Sequence, residues 1–406
     1  MICGKTELCI FDRPTPQGVI EYGSFEDVFP MNSISESRND VEFFINGSQT
    51  DYLDLNDTLL YVQVRVVDKF GKDLSEKSDV VPSNYVFHTL FKGVVLSFNN
   101  QKIEGGNETY IQKAMIETVL NYNGDSKNIC LTAIGYGEKD DRQKSIKLSK
   151  SLSLCGSLQL DFMDQPKYLI PGVNVHIRLK RAANRMGLES FTEEPKFVLL
   201  DAKLMVRRVK VESSVLVGHQ IGLTKQNAVY PIRTKEIVVY AISKDSTTFY
   251  KEQIFGDRRL PNFLLVTFQS RDRYNGHFKI SSSNFDHFNV RSITLSKNSD
   301  YRESYVQDFE TDNYSASYMQ SVVRNMGYLN KNMNCGITLE EFKNEYPFFT
   351  FVLAPDFDIN QSQLPQHGNM RLDVKFGTAL TTPAYVIIYG VFENEIQITS
   401  DRAILM

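Results

Sequence analysis

Tryptophan is absent from the 406 residues, and histidine occurs only six times and cysteine five times. The histidines (His88, His176, His219, His277, His287, His367) form no HExxH and no cupin-like pairing with a glutamate. The common zinc and cupin ligand sets therefore have no foothold. His277 and His287 could approach across a hairpin, but no ligand motif accompanies them. The cysteines (Cys3, Cys9, Cys130, Cys155, Cys335) are scattered, odd in number and without a CxxC. That pattern reads as free thiols of a reducing cell interior, not a disulfide framework. GxSxG, GxxxxGK[ST] and GxGxxG are also missing, which removes the usual signatures of hydrolases and nucleotide binders. Asp161 and Asp164 are carboxylates without an obvious partner, and sequence alone cannot set the separation that glycoside hydrolysis needs. No catalytic residue, cofactor, metal or small-molecule substrate is expected.

Charge of neither sign dominates: 45 Lys and Arg against 49 Asp and Glu leave a net −4. Any contact with nucleic acid must come from a local patch. No stretch approaches the ~18 consecutive apolar residues of a membrane helix. Glu7, Asp12 and Arg13 stand where a secretion signal would carry its apolar core. The Asn-x-Ser/Thr triplets at Asn46, Asn56, Asn107, Asn313 and Asn360 are accordingly read as chance.

What the chain has is 27 Phe and 20 Tyr, with Val, Ile and Thr to match, a composition suited to half-buried sheets. Residues 1–40, with Pro14, Pro16, Gly18, Gly23 and Pro30, read as an irregular arm. Beyond it, Val62, Val64 and Val66 alternate with Gln63 and Arg65. Val173 to Leu179 and Met370 to Phe376 alternate in the same way. Period two marks strands with one wet face. Further strands are predicted at Leu90–Phe98, Leu158–Phe162, Phe197–Val211, Ile237–Ile242, Phe263–Gln269, Phe288–Ser296, Phe348–Leu353 and Tyr385–Ile398. Asn99-Asn100, Pro171-Gly172, Asn275-Gly276 and His367-Gly368 punctuate them as turns. Helix is scarce. Glu108–Asn121 carries one apolar face with Asn107 as N-cap, Ser315–Met326 is a second candidate, and Thr338-Leu339-Glu340-Glu341 fits a capping box.

The two halves repeat the same order of elements. Each runs strand, helix (Tyr110 and Gln112; Tyr318 and Gln320), strand, a glycine (Gly172; Gly368), an alternating strand and a last long strand pair. A tandem duplication of a sandwich of roughly 190–200 residues and about eight strands follows. The fold class is all-β, two tandem eight-stranded jelly-roll sandwiches with short helices in the loops. The expected divisions are arm 1–40, first jelly roll 41–212, linker 213–229 and second jelly roll 230–406.

Several segments carry a resemblance in consistent order. They are Thr89-Leu90-Phe91-Lys92-Gly93-Val94-Val95-Leu96-Ser97-Phe98-Asn99-Asn100, Tyr168-Leu169-Ile170-Pro171-Gly172-Val173-Asn174-Val175 and Asp201-Ala202-Lys203-Leu204-Met205-Val206-Arg207-Arg208-Val209. Tyr230-Pro231-Ile232-Arg233, Leu260-Pro261, Asn275-Gly276, Phe285-Asp286-His287-Phe288-Asn289 and Gly368-Asn369-Met370-Arg371-Leu372 continue it. Together they resemble the double jelly-roll major capsid proteins of Polinton (Maverick) elements and related eukaryotic DNA viruses, the adenovirus–PRD1-like lineage. Ser281-Ser282-Ser283-Asn284 departs from the pattern, which has a proline-containing turn there. The resemblance implies homotrimers of pseudo-hexagonal outline that tile an icosahedral virion shell, with neighbouring trimers and penton or minor capsid proteins as partners. The long connections 123–150 and 297–346 are expected at neighbouring subunits or on the outer surface. The densest basic residues, Arg178, Lys180, Arg181, Arg207, Arg208 and Lys210, form a candidate patch for weak contact with packaged DNA, although alternating strands commonly carry such charges on solvated faces. A host binding module of two jelly rolls, lectin-like or adaptor, is the alternative.

Overall fold

A computed structural model describes residues 18–34, 40–256, 259–298, 301–326, 335–354 and 366–406. Eight principal strands come from the first half: β1 (Ile20–Val28), β2 (Val41–Ile45), β3 (Asp51–Val67), β4 (Phe91–Phe98), β5 (Gln101–Glu104), β6 (Leu152–Gly156), β7 (Val175–Arg181) and β8 (Lys196–Val211). Eight more come from the second: β9 (Ala228–Ile242), β10 (Thr248–Glu252), β11 (Phe263–Ser270), β12 (Val290–Lys297), β13 (Tyr301–Val306), β14 (Phe349–Val352), β15 (Met370–Phe376) and β16 (Ala384–Ile398).

The sheet orders decide the topology. The first half forms β1-β8-β3-β6 and β2-β7-β4-β5, and the second forms β9-β16-β11-β14 and β10-β15-β12-β13. Adding eight to each strand number turns the first pair of sheets into the second. Two antiparallel four-stranded sheets in this order make a jelly roll, so the chain holds two. A short strand, Ile404–Leu405, extends the β9 sheet beside β16.

The period-two segments are strands whose apolar residues all point inward. Val62, Val64, Val66, Val175, Ile177, Leu179, Leu372 and Val374 are buried. Asn99 and Asn100 both have positive φ and close the β4–β5 hairpin, the backbone requirement of a tight two-residue turn. In each half a helix follows the hairpin of the fourth and fifth strands, at α1 (Tyr110–Asn121) and at Ser315–Tyr318. Gly172 and Gly368 each precede the seventh strand of their roll.

Several expectations are corrected. Residues 20–28, within the stretch read as irregular arm, form the edge strand β1 on β8. Its seven central residues are exposed on both faces, so no alternation marks it. Within the expected linker lies a helix, α2 (Ser213–Leu223), none of whose residues is buried. Leu158–Phe162 is not a strand. Leu158, Leu160 and Phe162 are buried anchors of a connection that ends in a 3-10 turn at Asp161–Asp164, and the strand of that region is β6. The final strand pairs are single long strands, and β8 carries register shifts at Leu199/Asp201 and Met205/Arg207 where it bends. The α1 N-cap is Thr109, not Asn107. Ser315–Met326 is one helical turn followed by a π-helical stretch, Met319–Arg324. Asn275-Gly276, expected as a turn between strands, ends a short helix, Arg271–Asn275. The capping box at Thr338 is present with both of its hydrogen bonds.

Candidate functional site

The distinguishing feature of the molecule is the joint through which the two sandwiches share one core. A single hydrophobic cluster runs through both rolls. Phe162 of the first packs edge-on against Phe98 and tilts against Tyr230 of the second, with ring centroids 4.8 and 5.4 Å apart. The Tyr230 hydroxyl donates to the Tyr168 carbonyl and accepts from the Ile170 amide, both at 3.1 Å. Arg402, near the C-terminus, donates to the Pro171 carbonyl at 2.6 Å, and its own carbonyl accepts from Asn99 at 3.0 Å. Gly172 has φ +87° beneath the Arg402 side chain.

Elsewhere the Ser190 amide donates to the Phe278 carbonyl at 2.7 Å, and the Ser282 hydroxyl donates to the Met186 carbonyl. The serine run 281–284 is held from within by Gln269, whose amide donates to the Ser282 and Asn284 carbonyls. Gly276, at φ +79°, lies so close to the Arg185 carbonyl that a Cβ would stand 2.9 Å from it. The long connections 123–150 and 297–346, expected at neighbouring subunits or on the outer surface, also touch each other: the Lys127 ammonium donates to the Cys335 carbonyl at 2.6 Å.

At the centre of the joint lies a buried charge cluster that sequence reasoning missed. Lys113 on α1 donates to Glu104 at 2.6 Å and to Asp161 at 2.8 Å. The Asp161 amide donates to the second Glu104 oxygen at 2.6 Å. From the second roll, the Lys235 amide donates to Asp161 at 3.0 Å, and its ammonium reaches Asp164 at 2.7 Å and Glu117 at 3.4 Å. Asp161 and Asp164 thus have partners and form part of a structural network. The available signal was Lys113 and Glu117, four apart on a helix whose residues from Tyr110 to Val119 are all buried.

The basic residues do not form one open patch. Arg178 pairs with Asp40 at 2.8 Å and Glu42 at 3.4 Å. Arg207 joins Asp54 at 3.0 Å and Asp57, Arg208 joins Glu26, and Lys210 joins Glu21 at 2.9 Å. The last two pairs fasten β1 to β8. Lys180 is half-buried, with its stem over Gly93. Arg181 is only 9% exposed, and burial alone lowers its pKa to about 10. Its Nη1 makes no hydrogen bond among the described residues.

His88 is buried against the Tyr110 hydroxyl at 3.1 Å, and burial lowers its pKa to about 3. His219 on α2 meets the Tyr52 hydroxyl at 2.6 Å, and His176 meets Glu42 at 3.2 Å. The His287 Nδ1 accepts from the Asn289 amide, and the His277 Nδ1 from the Lys279 amide. Among the described residues no three His, Cys, Asp or Glu side chains gather as metal ligands. Cys130, Cys155 and Cys335 are free thiols, while Cys3 and Cys9 lie outside the described residues. No helix among the described residues is long and apolar enough to cross a membrane.

The likeness to solved structures spans the whole molecule. PBCV-1 VP54 superposes with a TM-score of 0.60 at 11% identity, covering 98% of this chain and 99% of that one. The Faustovirus major capsid protein gives 0.61 at 8% identity, over 97% and 93% of the two chains. The mavirus major capsid protein gives 0.57 at 9%, over 98% and 93%. The fold is the double jelly roll of these capsid proteins. At such identities the likeness is one of fold, and it extends over both jelly rolls. An uncharacterized protein of Caenorhabditis elegans is 23% identical over 398 residues, covering 90% of this chain and 93% of the relative. No family model matches the chain.

Proposed function

We propose that this double jelly-roll protein is the major subunit of a virus-type capsid, whose copies associate as pseudo-hexagonal homotrimers that tile an icosahedral shell. The observation that carries the reading is the exact-by-eight repetition of the sheet order, joined through one core and a buried charge cluster. Two rigid pillars fixed side by side give each subunit two of six positions in a threefold ring, and one set of complementary surfaces is used three times. Structural likeness to two proteins named as major capsid proteins supports it.

The role is structural and not catalytic, and the protein belongs in a virion capsid. The likeness in fold to the mavirus and Faustovirus major capsid proteins supports an origin of the Polinton (Maverick) type. Penton or minor capsid proteins are the further partners. Contact with packaged DNA is weak, because the strand cations Arg178, Arg207, Arg208 and Lys210 already face carboxylates.

The test is the mass of the purified chain in solution. Sedimentation or light scattering should give three times the 46.5 kDa chain mass. A stable monomer across micromolar concentrations contradicts the proposal and favours the binding-module reading.

A further inference from the structure

The cluster in the joint is not electrically balanced. Glu104, Glu117 and Asp161 are enclosed, with side chains 13, 2 and 3% exposed, against two enclosed ammonium groups, Lys113 and Lys235, at 11 and 8%. Asp164 also meets Lys235, but at 61% exposed its charge is screened by water. The enclosed set therefore carries one surplus negative charge. One Glu117 oxygen makes no hydrogen bond among the described residues, and Lys113 stands 4.0 Å from it. The remaining titratable neighbours are the hydroxyls of Tyr110 on α1 and Tyr389 on β16, both of which the surrounding burial keeps protonated. A surplus charge in such a site is costly, and the cheapest relief is a proton.

We propose that the joint is a proton-operated clasp, in which one proton added to the carboxylate trio tightens the hold of one jelly roll on the other. The geometry supplies the link, since Lys235 belongs to β9 of the second roll and the carboxylates to the first. Burial raises Glu104 to about 7, helped by Asp161 and opposed by Lys113, and burial likewise raises Glu117. In the unfolded chain a glutamate titrates near 4.5. A folded value above the unfolded one means that folding takes up a proton. The stabilisation is complete below about pH 4.5 and is lost as pH rises through about 7. His88 acts in the opposite sense. Kept neutral by burial, it lowers stability as pH falls below 6.5, its value in the unfolded chain. Between pH 6.5 and 8 the clasp therefore acts without that opposition. The inference concerns the single chain and stands whether or not copies assemble.

The experiment is denaturant unfolding of the full chain across that window, for wild type, Glu104→Gln and Glu117→Gln. The wild-type unfolding equilibrium constant should be several-fold larger at pH 8 than at pH 6.5, with the rise slackening through neutrality and levelling off towards pH 8, where the carboxylate is ionised in both the folded and the unfolded chain. Glu104→Gln, which keeps the shape and removes the charge, should flatten the response. If that variant does not fold, Glu117→Gln serves in its place and should weaken the response. A flat wild-type profile, or an unchanged profile in the variant that folds, overturns the proposal.

Discussion

Lys235, in the first strand of the second jelly roll, sets its ammonium 3.4 Å from the Glu117 carboxylate on a buried helix of the first. Removing one side of an enclosed ion pair leaves the other charge without compensation. Lys235→Met should cost about 3–5 kcal/mol in denaturant unfolding. The double variant Lys235→Met/Glu117→Gln should recover part of that loss, because the two residues share one network. Additive losses would argue against coupling across the joint.

Arg181 presents the opposite case, a buried cation whose Nη1 has no hydrogen-bond partner among the described residues. Replacing a buried charge with an apolar side chain of similar length is often neutral or stabilising. Arg181→Met should therefore raise the unfolding free energy by about 1 kcal/mol. A loss of more than about 2 kcal/mol, the scale of a broken charged hydrogen bond, would show that the guanidinium has a partner that matters.

Phe162 is fully buried between Phe98 and Tyr230 and so fills the space where the two rolls meet. Phe162→Ala should cost about 3–5 kcal/mol through lost burial and the cavity left behind. Thermal unfolding should report it as a lower midpoint for the whole chain. Two separate transitions would show that the rolls unfold independently.

The basic strand residues give a prediction about DNA. With Arg178, Arg207, Arg208 and Lys210 already paired to carboxylates, few counterions would be released from a bound duplex. Filter binding with the purified protein should find negligible affinity at physiological salt. A steep fall of affinity with salt, of slope near −0.9 per phosphate contacted, would restore the DNA-facing patch.

The parts of the fold that were legible in the sequence are those where one short segment decides the matter. Val62 to Val66 and Met370 to Phe376 alternate because one face of each strand is core and the other is not. The Thr338 capping box needs only Glu341, three residues on. Strand β1 was illegible because both faces are exposed and its partners, Arg208 and Lys210, lie more than 180 residues away. Leu158 to Phe162 misled for a physical reason. Alternate burial also suits an extended connection that plugs a core, and periodicity does not report backbone pairing. The joint cluster was hidden because Glu104, Lys113, Asp161 and Lys235 come from four different elements.

The most direct test of the capsid reading is electron microscopy of the purified chain. Threefold particles with six lobes, two from each subunit, are the expected result. Uniform two-lobed monomers, or assemblies without a threefold axis, would contradict it.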